Sequence, residues 1–263
     1  MTKLIDESAR VLSNQQVGPR LWLMKLEAPA IAPLVQPGQF VHMQVPGMEG
    51  HMLRRPFSVY AVEGSVLDIL YQVVGFGTNV MTGLEAGTTV KIIGSIGHGW
   101  AVPEDAKKVL LVAGGVGAAP LFMLTQRCVA AGLDVTVVLG AQTQDALVCR
   151  ERYEQLLGEN PRCATDDGSY GRAGFCTSLV EEALAEAAEA GEPYSYLAVC
   201  GPEPLMRIVA KLGAQAGVYT QVSMEKRMAC GVGACLGCIV ETADGRKRAC
   251  VDGPVFDAEK VVW

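Results

Sequence analysis

The sequence is poor in positive charge and in histidine. Its 22 Lys and Arg residues are outnumbered by 28 Asp and Glu residues, which gives a formal net charge of −6 and a pI near 5.2. A nucleic-acid partner is not expected, because binding to phosphates needs a basic face. The three histidines, His42, His51 and His98, are scattered along the chain. We expect structural roles for them, and we predict no catalytic acid or base.

The sequence also lacks an apolar run suited to a membrane span. The apolar stretch 109–126, which has no charged residue, contains three glycines and a proline. A strand, a glycine turn and a helix explain it better than a bilayer span of ~20 residues. Asp6 and Glu7 lie where a signal peptide needs a basic flank and an apolar core. We therefore expect a cytoplasmic protein, whose nine cysteines are metal ligands or buried thiols rather than disulfides.

The first hundred residues contain short apolar runs separated by turns rich in Gly and Pro. Half of the chain is apolar, which is enough for buried cores. Predicted strands lie at 21–26, 39–45, 57–62, 66–73 and 88–93. Strands at this close spacing predict a small barrel or sandwich, with one short helix at 78–84.

From residue 108 onward, apolar strands and helical segments alternate. Predicted strands lie at 109–113, 135–140, 196–200 and 219–223. Predicted helices lie at 118–131, 151–157, 177–190 and 203–216. This alternation predicts an α/β domain with a parallel sheet that is covered on both faces. The C-terminal residues fit neither pattern.

The densest group of cysteines lies in that C-terminal part. Cys230, Cys235, Cys238 and Cys250 have the spacing C-x4-C-x2-C-x11-C, which matches the plant-type [2Fe–2S] pattern. The intervening glycines allow the loop to curl and to aim backbone N–H groups at the sulfurs. Two alternatives remain: a structural zinc site, which usually has two short knuckles, and unliganded buried thiols. The other cysteines show no ligand spacing.

Two segments of the first domain suggest a flavin site. Arg54 and Arg55 open a predicted strand, although an edge strand that begins with a solvated arginine pair would explain them equally. The segment 71–79 has the pattern of a strand, a glycine turn and a helix start. Backbone N–H groups at a helix start favour a phosphate, and an arginine fork can bind the same pyrophosphate. The strand backbone can then hydrogen-bond a flat ring.

With these motifs the chain resembles the ferredoxin–NADP reductase-like flavoproteins, whose flavin motif is Arg-x-Tyr-Ser. Here the motif has Phe57 in the Tyr position. The resemblance implies an antiparallel β-barrel that binds FAD, with Arg55 on the pyrophosphate, Ser58 near the flavin ring, and Gly77 and Thr78 near the pyrophosphate. The implied FAD-binding residues are Arg55, Pro56, Phe57, Ser58, Gln72, Val73, Val74, Gly77 and Thr78.

Two further motifs lie in the α/β domain. The segment that contains Gly114, Gly115 and Gly117 is not the G-x-G-x-x-G fingerprint, and tight packing of a strand on a helix would also explain it. In the reductase family the corresponding loop binds the nicotinamide nucleotide. A second family marker is matched by Cys200, Gly201 and Pro202. Asp145 after the strand 135–140, with no basic cluster there, favours NAD over NADP.

The order of these parts implies a multidomain β plus α/β protein. The implied domains are an FAD-binding barrel (1–100), an NAD-binding domain (101–222) and a [2Fe–2S] segment (223–263). Within the family the chain is most similar to the electron-transfer subunits of NAD-dependent, type B dihydroorotate dehydrogenases. Small subunits of NAD(P)H:ferredoxin or sulfide-type oxidoreductases are the alternative, but they typically have Asp at the position of Cys230. A redox-sensing module is a third, non-catalytic possibility.

The resemblance also implies a role and a partner. An FMN-containing catalytic subunit would oxidise dihydroorotate for pyrimidine biosynthesis, and its electrons would pass through the cluster and FAD to NAD+. FAD is needed between them because the cluster carries one electron at a time, whereas NAD+ accepts two. The implied assembly is a heterotetramer of two such pairs.

Overall fold

The N-terminal domain is an antiparallel sheet of seven strands. In the computed structural model, which describes residues 4–48 and 50–263, its strands are β1 (Ile5–Gly18), β2 (Leu21–Glu27), β3 (Phe40–Gln44), β4 (Arg55–Ser58), β5 (Ala61–Glu63), β6 (Val66–Gln72) and β7 (Thr89–Ile96). A short helix, α1 (Phe76–Met81), follows β6. The order of the strands across the sheet is β4-β3-β7-β1-β2-β6-β5.

The chain between β4 and β5 closes this sheet into a barrel. These two strands lie at opposite ends of the sheet, yet only Val59 and Tyr60 separate them. The Val59 N–H donates to the Gln39 carbonyl (3.2 Å) and the Tyr60 N–H donates to the Asp68 carbonyl (2.9 Å). The prediction of one strand at 57–62 is therefore wrong, because the chain leaves one end of the sheet and joins the other within this segment.

Alternating apolar side chains fill the barrel, as expected for strands with one buried face. The largest of them come from β2, β3, β6 and β7: Met24, Leu26, Met43, Leu67, Ile69, Tyr71 and Ile92. The long strand β1 was not predicted, because only Ala9 and Val11 of its side chains are fully buried in this core and its other apolar residues, Ile5, Leu12 and Val17, are spread among polar ones.

The second domain is a parallel sheet with helices packed on it. Its strands are β8 (Lys108–Gly114), β9 (Asp134–Ala141), β10 (Arg162–Thr165), β11 (Arg172–Ala173), β12 (Tyr196–Cys200) and β13 (Tyr219–Ser223). Its helices are α2 (Ala118–Ala130), α3 (Arg150–Leu157), α4 (Thr177–Glu189) and α5 (Glu203–Gln215). Residues Val109 to Val112 of β8 are fully buried at the centre of the sheet, which explains their continuous apolar run. Strands β10 and β11 were not predicted.

The C-terminal residues connect the two domains. They form a hairpin of β14 (Ile239–Thr242) and β15 (Gly245–Arg248), and then β16 (Val255–Asp257) pairs antiparallel with β13 at the edge of the parallel sheet. The His98 N–H donates to the Gly253 carbonyl (2.6 Å), which ties this segment to the end of the barrel. A shared core places Phe40 of β3 together with Cys238 and Cys250. The loop 230–238, which contains three of the four predicted cluster cysteines and is called the cluster loop below, is thus packed on the outer face of the barrel.

None of the helices in the described part of the chain is long and apolar enough to cross a membrane.

Candidate functional site

The loop that begins at Cys230 aims backbone N–H groups at sulfur. The Val232 and Cys235 N–H groups each donate to Cys230 Sγ at 3.4 Å, and the Gly237 N–H donates to Cys235 Sγ at 3.4 Å. Burial opposes ionisation of the Cys230 thiol, but hydrogen bonds from the N–H groups of Val232, Cys235 and Ala234 and from the Cys235 thiol outweigh it and lower its pKa to about 6. Gly231 and Gly233 have φ values of +68° and +83°, in the left-handed region that favours glycine.

The other two predicted ligands form a second sulfur pair. The Sγ atoms of Cys238 and Cys250 are 3.3 Å apart and buried. Burial and the neighbouring Cys238 raise the pKa of the Cys250 thiol to about 12. All nine cysteines, which lie within the described residues, are free thiols.

This pairwise arrangement fits a two-iron cluster better than a single ion. Within residues 4–48 and 50–263 no three His, Cys, Asp or Glu side chains lie together as one metal-binding group, so the structure brings the four cysteines together only as two pairs. A structural zinc site needs four ligands around one centre. In a [2Fe–2S] cluster each iron takes two of the four thiolates, so the pair Cys230 and Cys235 in the glycine-rich loop and the pair Cys238 and Cys250, whose second member follows the β14–β15 hairpin, suit it.

The two predicted flavin motifs meet in the structure. A Cβ added at Gly77 would lie 3.0 Å from Nε of Arg55, so the guanidinium rests directly on the glycine of α1. Thr78 holds the preceding turn, because its Oγ1 accepts the N–H groups of Val74 (2.9 Å) and Gly75 (3.1 Å). Arg55 therefore lies beside the turn that follows β6, where the Val73 N–H donates to the Arg20 carbonyl (2.8 Å) and Nε of Arg20 donates to the Val73 carbonyl (2.9 Å).

The register of β3 and β4 decides which side chains face outward. Phe57 pairs with Val41 of the barrel core, and its ring lies 6.0 Å from that of Tyr71. Pro56 pairs with His42 and Ser58 pairs with Phe40. Directly opposed residues of antiparallel strands point to the same face, so Pro56 and Ser58 face outward, toward the side that carries the cluster loop.

The predicted nucleotide loops are pressed against each other at the carboxyl edge of the parallel sheet. A Cβ at Gly117 would lie 2.4 Å from the Cys200 carbonyl oxygen, and one at Gly114 would lie 2.9 Å from Cδ of Pro202. Gly201 has a φ of +155° and approaches Gly114 just as closely. Open α/β sheets bind ligands at this edge. Gly115 lies in open space there, so the loop backbone is accessible to a nucleotide.

The prediction of NAD rather than NADP rests on Asp145, which is exposed. Asp145 lies in a 3-10 turn (Gln144–Ala146) after β9, at the same edge of the sheet. Its carboxylate is free to accept a hydrogen bond from a ribose hydroxyl.

His42 is a buried residue beside Gly231 that the sequence did not single out. It is fully buried, and neither of its ring nitrogens has a hydrogen-bond partner in the described residues. Burial lowers the pKa of the imidazole, and the positive charges of Arg54 and Arg55 act in the same direction, whereas the backbone of Arg54 and of Cys230 opposes the shift. In the sequence it appears only as one polar residue within an apolar strand.

The other two histidines have ordinary contacts. Nδ1 of His98 lies 2.7 Å from the Val251 carbonyl oxygen. The ring of His51 packs on that of Phe76, with the centroids 4.9 Å apart. These contacts agree with the structural roles that were expected.

Known structures define the class of the fold. A solved NADH-dependent reduced ferredoxin-NADP oxidoreductase matches 98% of this chain and 90% of its own chain, with a TM-score of 0.86 and 26% identity. A cytochrome P450 reductase from Amycolatopsis, at 24% identity, has the same fold over 82% of this chain and 67% of its own, with a TM-score of 0.68. The protein is an NAD-linked flavin oxidoreductase with a ferredoxin–NADP reductase-like fold, as the motifs predicted.

Sequence comparison defines the family. A family model for the iron–sulfur cluster binding domain of dihydroorotate dehydrogenase B matches residues 225–262, and one for the oxidoreductase NAD-binding domain matches 111–211. The dihydroorotate dehydrogenase B (NAD(+)) electron transfer subunit of Desulforamulus reducens is 39% identical and aligns over 100% of both chains. That of Caldanaerobacter subterraneus is also 39% identical, over 97% of this chain and 98% of its own. The chain belongs to the family of dihydroorotate dehydrogenase B electron transfer subunits.

These matches confirm the predicted cofactor set of FAD, a [2Fe–2S] cluster and NAD at the level of the domains. They also indicate a catalytic partner subunit, because the relatives are named as electron transfer subunits. The assignment of individual residues to each cofactor stays a prediction.

Proposed function

We propose that the chain carries electrons from a partner subunit to NAD+ through a cluster held by Cys230, Cys235, Cys238 and Cys250 and through FAD on the barrel. When bound, the cluster supplies one-electron transfer, FAD takes one or two electrons, and NAD+ accepts a hydride. The observation that carries this proposal is the packing of Cys238 and Cys250 with Phe40, and of Gly231 against His42, on the outer face of the strands that bear the flavin motif. The residues below position these groups.

On the barrel, Arg55 binds the FAD pyrophosphate, and Gly77 leaves room for its guanidinium. Thr78 fixes the turn through its two accepted N–H groups, and this turn holds Gln72, Val73 and Val74 beside the ring. Ser58 lies on the outward face beside the ring. Met52, Val74 and Phe76 are strongly exposed apolar side chains around this site, and a bound flat ring would cover such surface. The FAD set is completed by Pro56 and Phe57.

In the second domain, Gly114, Gly115 and Gly117 receive the nicotinamide nucleotide between themselves and the loop of Cys200, Gly201 and Pro202. Their lack of side chains allows the nucleotide phosphates to approach the backbone closely. Asp145 selects NAD by accepting a hydrogen bond from the adenosine ribose. We keep the division into 1–100, 101–222 and 223–263 as a proposal, with β16 of the last segment paired to β13 of the second.

The partner is an FMN-containing subunit that oxidises dihydroorotate in pyrimidine biosynthesis, and the assembly is a heterotetramer. Leu236 and Val232 are exposed in the cluster loop itself, and the basic residues Arg246, Lys247 and Arg248 line a cavity that includes Leu236. An apolar centre with a charged rim is typical of a protein interface, and a partner docked there would cover Cys235. We also propose a cytoplasmic location, in keeping with nine free thiols.

The cofactor assignment is tested on the purified chain by its visible spectrum and by iron and acid-labile sulfide assays. Cys235→Ser should lose at least half of its iron and sulfide while FAD stays bound, because one iron loses a thiolate ligand. The matched control is Cys128→Ala, which removes a buried thiol of α2 away from the cluster loop and should keep the full iron content. Unchanged iron in Cys235→Ser, or one zinc ion in place of inorganic sulfide, would contradict the proposal.

The partner is tested by native purification followed by mass spectrometry of the intact complex. Two copies of this chain with two copies of a dihydroorotate-oxidising FMN protein are expected. Lys247→Glu should weaken that complex at low salt, because it reverses a charge at the proposed interface. Recovery of a ferredoxin-dependent or sulfide-dependent enzyme, and no dihydroorotate enzyme, would instead favour the alternative oxidoreductase.

A further inference from the structure

The outer face of the barrel carries one buried polar side chain that has no hydrogen-bond partner in the described residues. His42 of β3 is fully buried, and within the described residues neither Nδ1 nor Nε2 makes a hydrogen bond of ordinary geometry, although the backbone of Arg54 and of Cys230 lies near the ring. Buried polar groups in native proteins are nearly always hydrogen-bonded, since an unmade bond costs the desolvation of the group. An imidazole in this state therefore points to a polar partner that comes with a bound group.

The surroundings of His42 indicate where that partner lies. A Cβ added at Gly231 would be 2.5 Å from Nδ1 of His42, so the ring packs against the residue that follows the first cluster cysteine. On its other side His42 pairs with Pro56 of the flavin strand, and Ser58 is the next residue on the same face. The imidazole thus lies between the cluster loop and the strand that carries the flavin motif.

We propose that His42 is a positioning residue of the electron path, whose ring N–H donates a hydrogen bond to a sulfur atom of the bound cluster. This inference rests on the proposed function, because it needs the cluster at the four cysteines. The bond would hold the cluster loop at a set distance from the flavin strand. It would also stabilise the reduced cluster, which carries one more negative charge, and so raise the reduction potential of the cluster.

Loss of the donor should therefore lower that potential. At a fixed applied potential, His42→Leu should reduce the ratio of reduced to oxidised cluster about tenfold, which corresponds to ~59 mV for a one-electron couple. His42→Asn keeps an N–H donor and should recover part of the difference. If His42 only fills space, the reduction potential of the cluster should be the same in His42→Leu and in His42→Asn.

The direct test uses the wild-type holoprotein, so that it does not depend on how well a variant folds. The chain has three histidines, and selective 15N-histidine labelling makes each of them visible by pulsed electron paramagnetic resonance of the reduced cluster. We expect a weak 15N hyperfine coupling that is absent in His42→Leu. His98→Gln is the matched control, because His98 contacts Val251 next to Cys250 and its removal should leave the coupling unchanged.

The outcomes separate this inference from the function on which it rests. A cluster signal without 15N coupling, or coupling that persists in His42→Leu or disappears in His98→Gln, would overturn the role of His42 and leave the proposed function intact. The absence of any [2Fe–2S] signal from the reduced holoprotein would overturn both. If His42→Leu loses its iron, the coupling in the labelled wild type, with the His98→Gln control, decides the question.

Discussion

At the scale of single residues, several positions of this chain require glycine, because a neighbouring group occupies the place where the Cβ atom of another residue would lie. Gly77 has the guanidinium of Arg55 in that place, and Gly231 has the imidazole of His42. In both cases a charged or polar group reaches the backbone at a proposed cofactor site. Adding one methyl group therefore tests a contact without removing the functional side chain.

Gly77→Ala should weaken FAD binding about tenfold, or ~1.4 kcal/mol, because its Cβ would lie 3.0 Å from Nε of Arg55 and displace the guanidinium. The dissociation constant is measured by flavin fluorescence on titration of the FAD-free protein. Iron content should not change.

The control for this variant is Gly83→Ala, whose Cβ would meet its nearest atom at an ordinary 3.6 Å. It should bind FAD like the wild type. Equal affinity in Gly77→Ala and Gly83→Ala would show that the Arg55 contact does not support FAD binding.

At the scale of elements, the proposed nucleotide site forms where two loops, each following a different strand of one sheet, pack against each other. The glycine loop after β8 and the loop after β12 approach so closely that Gly117 lies on the Cys200 carbonyl. Adjacent parallel strands end at the same edge, so the loops that follow them become neighbours. The nucleotide site thus depends on the packing of β8, β12 and α2 rather than on one motif.

Gly117→Ala should raise the KM for NADH about tenfold in a dye-reduction assay, and it should destabilise the fold by about 1–3 kcal/mol through overpacking. The reason is the 2.4 Å approach of the added Cβ to a backbone oxygen that has little freedom to move. Lys211→Ala, on the exposed face of α5, serves as the control and should change neither value. An unchanged KM in Gly117→Ala would argue against nucleotide binding at this loop.

At the scale of the whole molecule, the barrel and the nucleotide domain are joined by a cation. Arg152 of α3 lies 3.0 Å from Oδ2 of Asp68 on β6, whose side chain is 6% exposed. The guanidinium also stacks over the rings of Tyr60 (4.6 Å) and Phe122 (4.7 Å), one from each domain. Burying a carboxylate at a domain interface is costly unless it is paired, so this contact helps to set the relative position of the two domains.

Arg152→Ala should destabilise the protein by about 2 kcal/mol, since it removes the stacking and leaves Asp68 with Lys25 as its remaining partner. The melting temperature, measured by calorimetry, should fall by about 4–8 °C. Arg172→Ala breaks a half-exposed ion pair with Glu182 inside one domain and should cost at most about 1 kcal/mol. Equal melting temperatures of the two variants would show that Arg152 does not link the domains.

Much of the fold and of the site was predictable from local patterns. The strands β12 and β13 have the predicted bounds, and the four large helices begin and end within one residue or so of the prediction. Short motifs also predicted the cofactors, because cysteine spacing and glycine turns reflect the chemistry of a cluster and of phosphates. These features depend on residues that are close in the chain, so a linear sequence contains them directly.

Tertiary structure decided the contacts between distant segments. The sequence by itself determined the class of each domain, the cofactors and the cysteines proposed to hold the cluster. Only the folded chain placed Arg55 on Gly77, closed the barrel through 55–63, joined β16 to β13 and buried His42 against Gly231. The physical reason is that the orientation of a side chain and the packing of two loops depend on pairing with, and burial against, residues that are distant in the sequence. The local periodicity and spacing of residues contain no information about such distant partners.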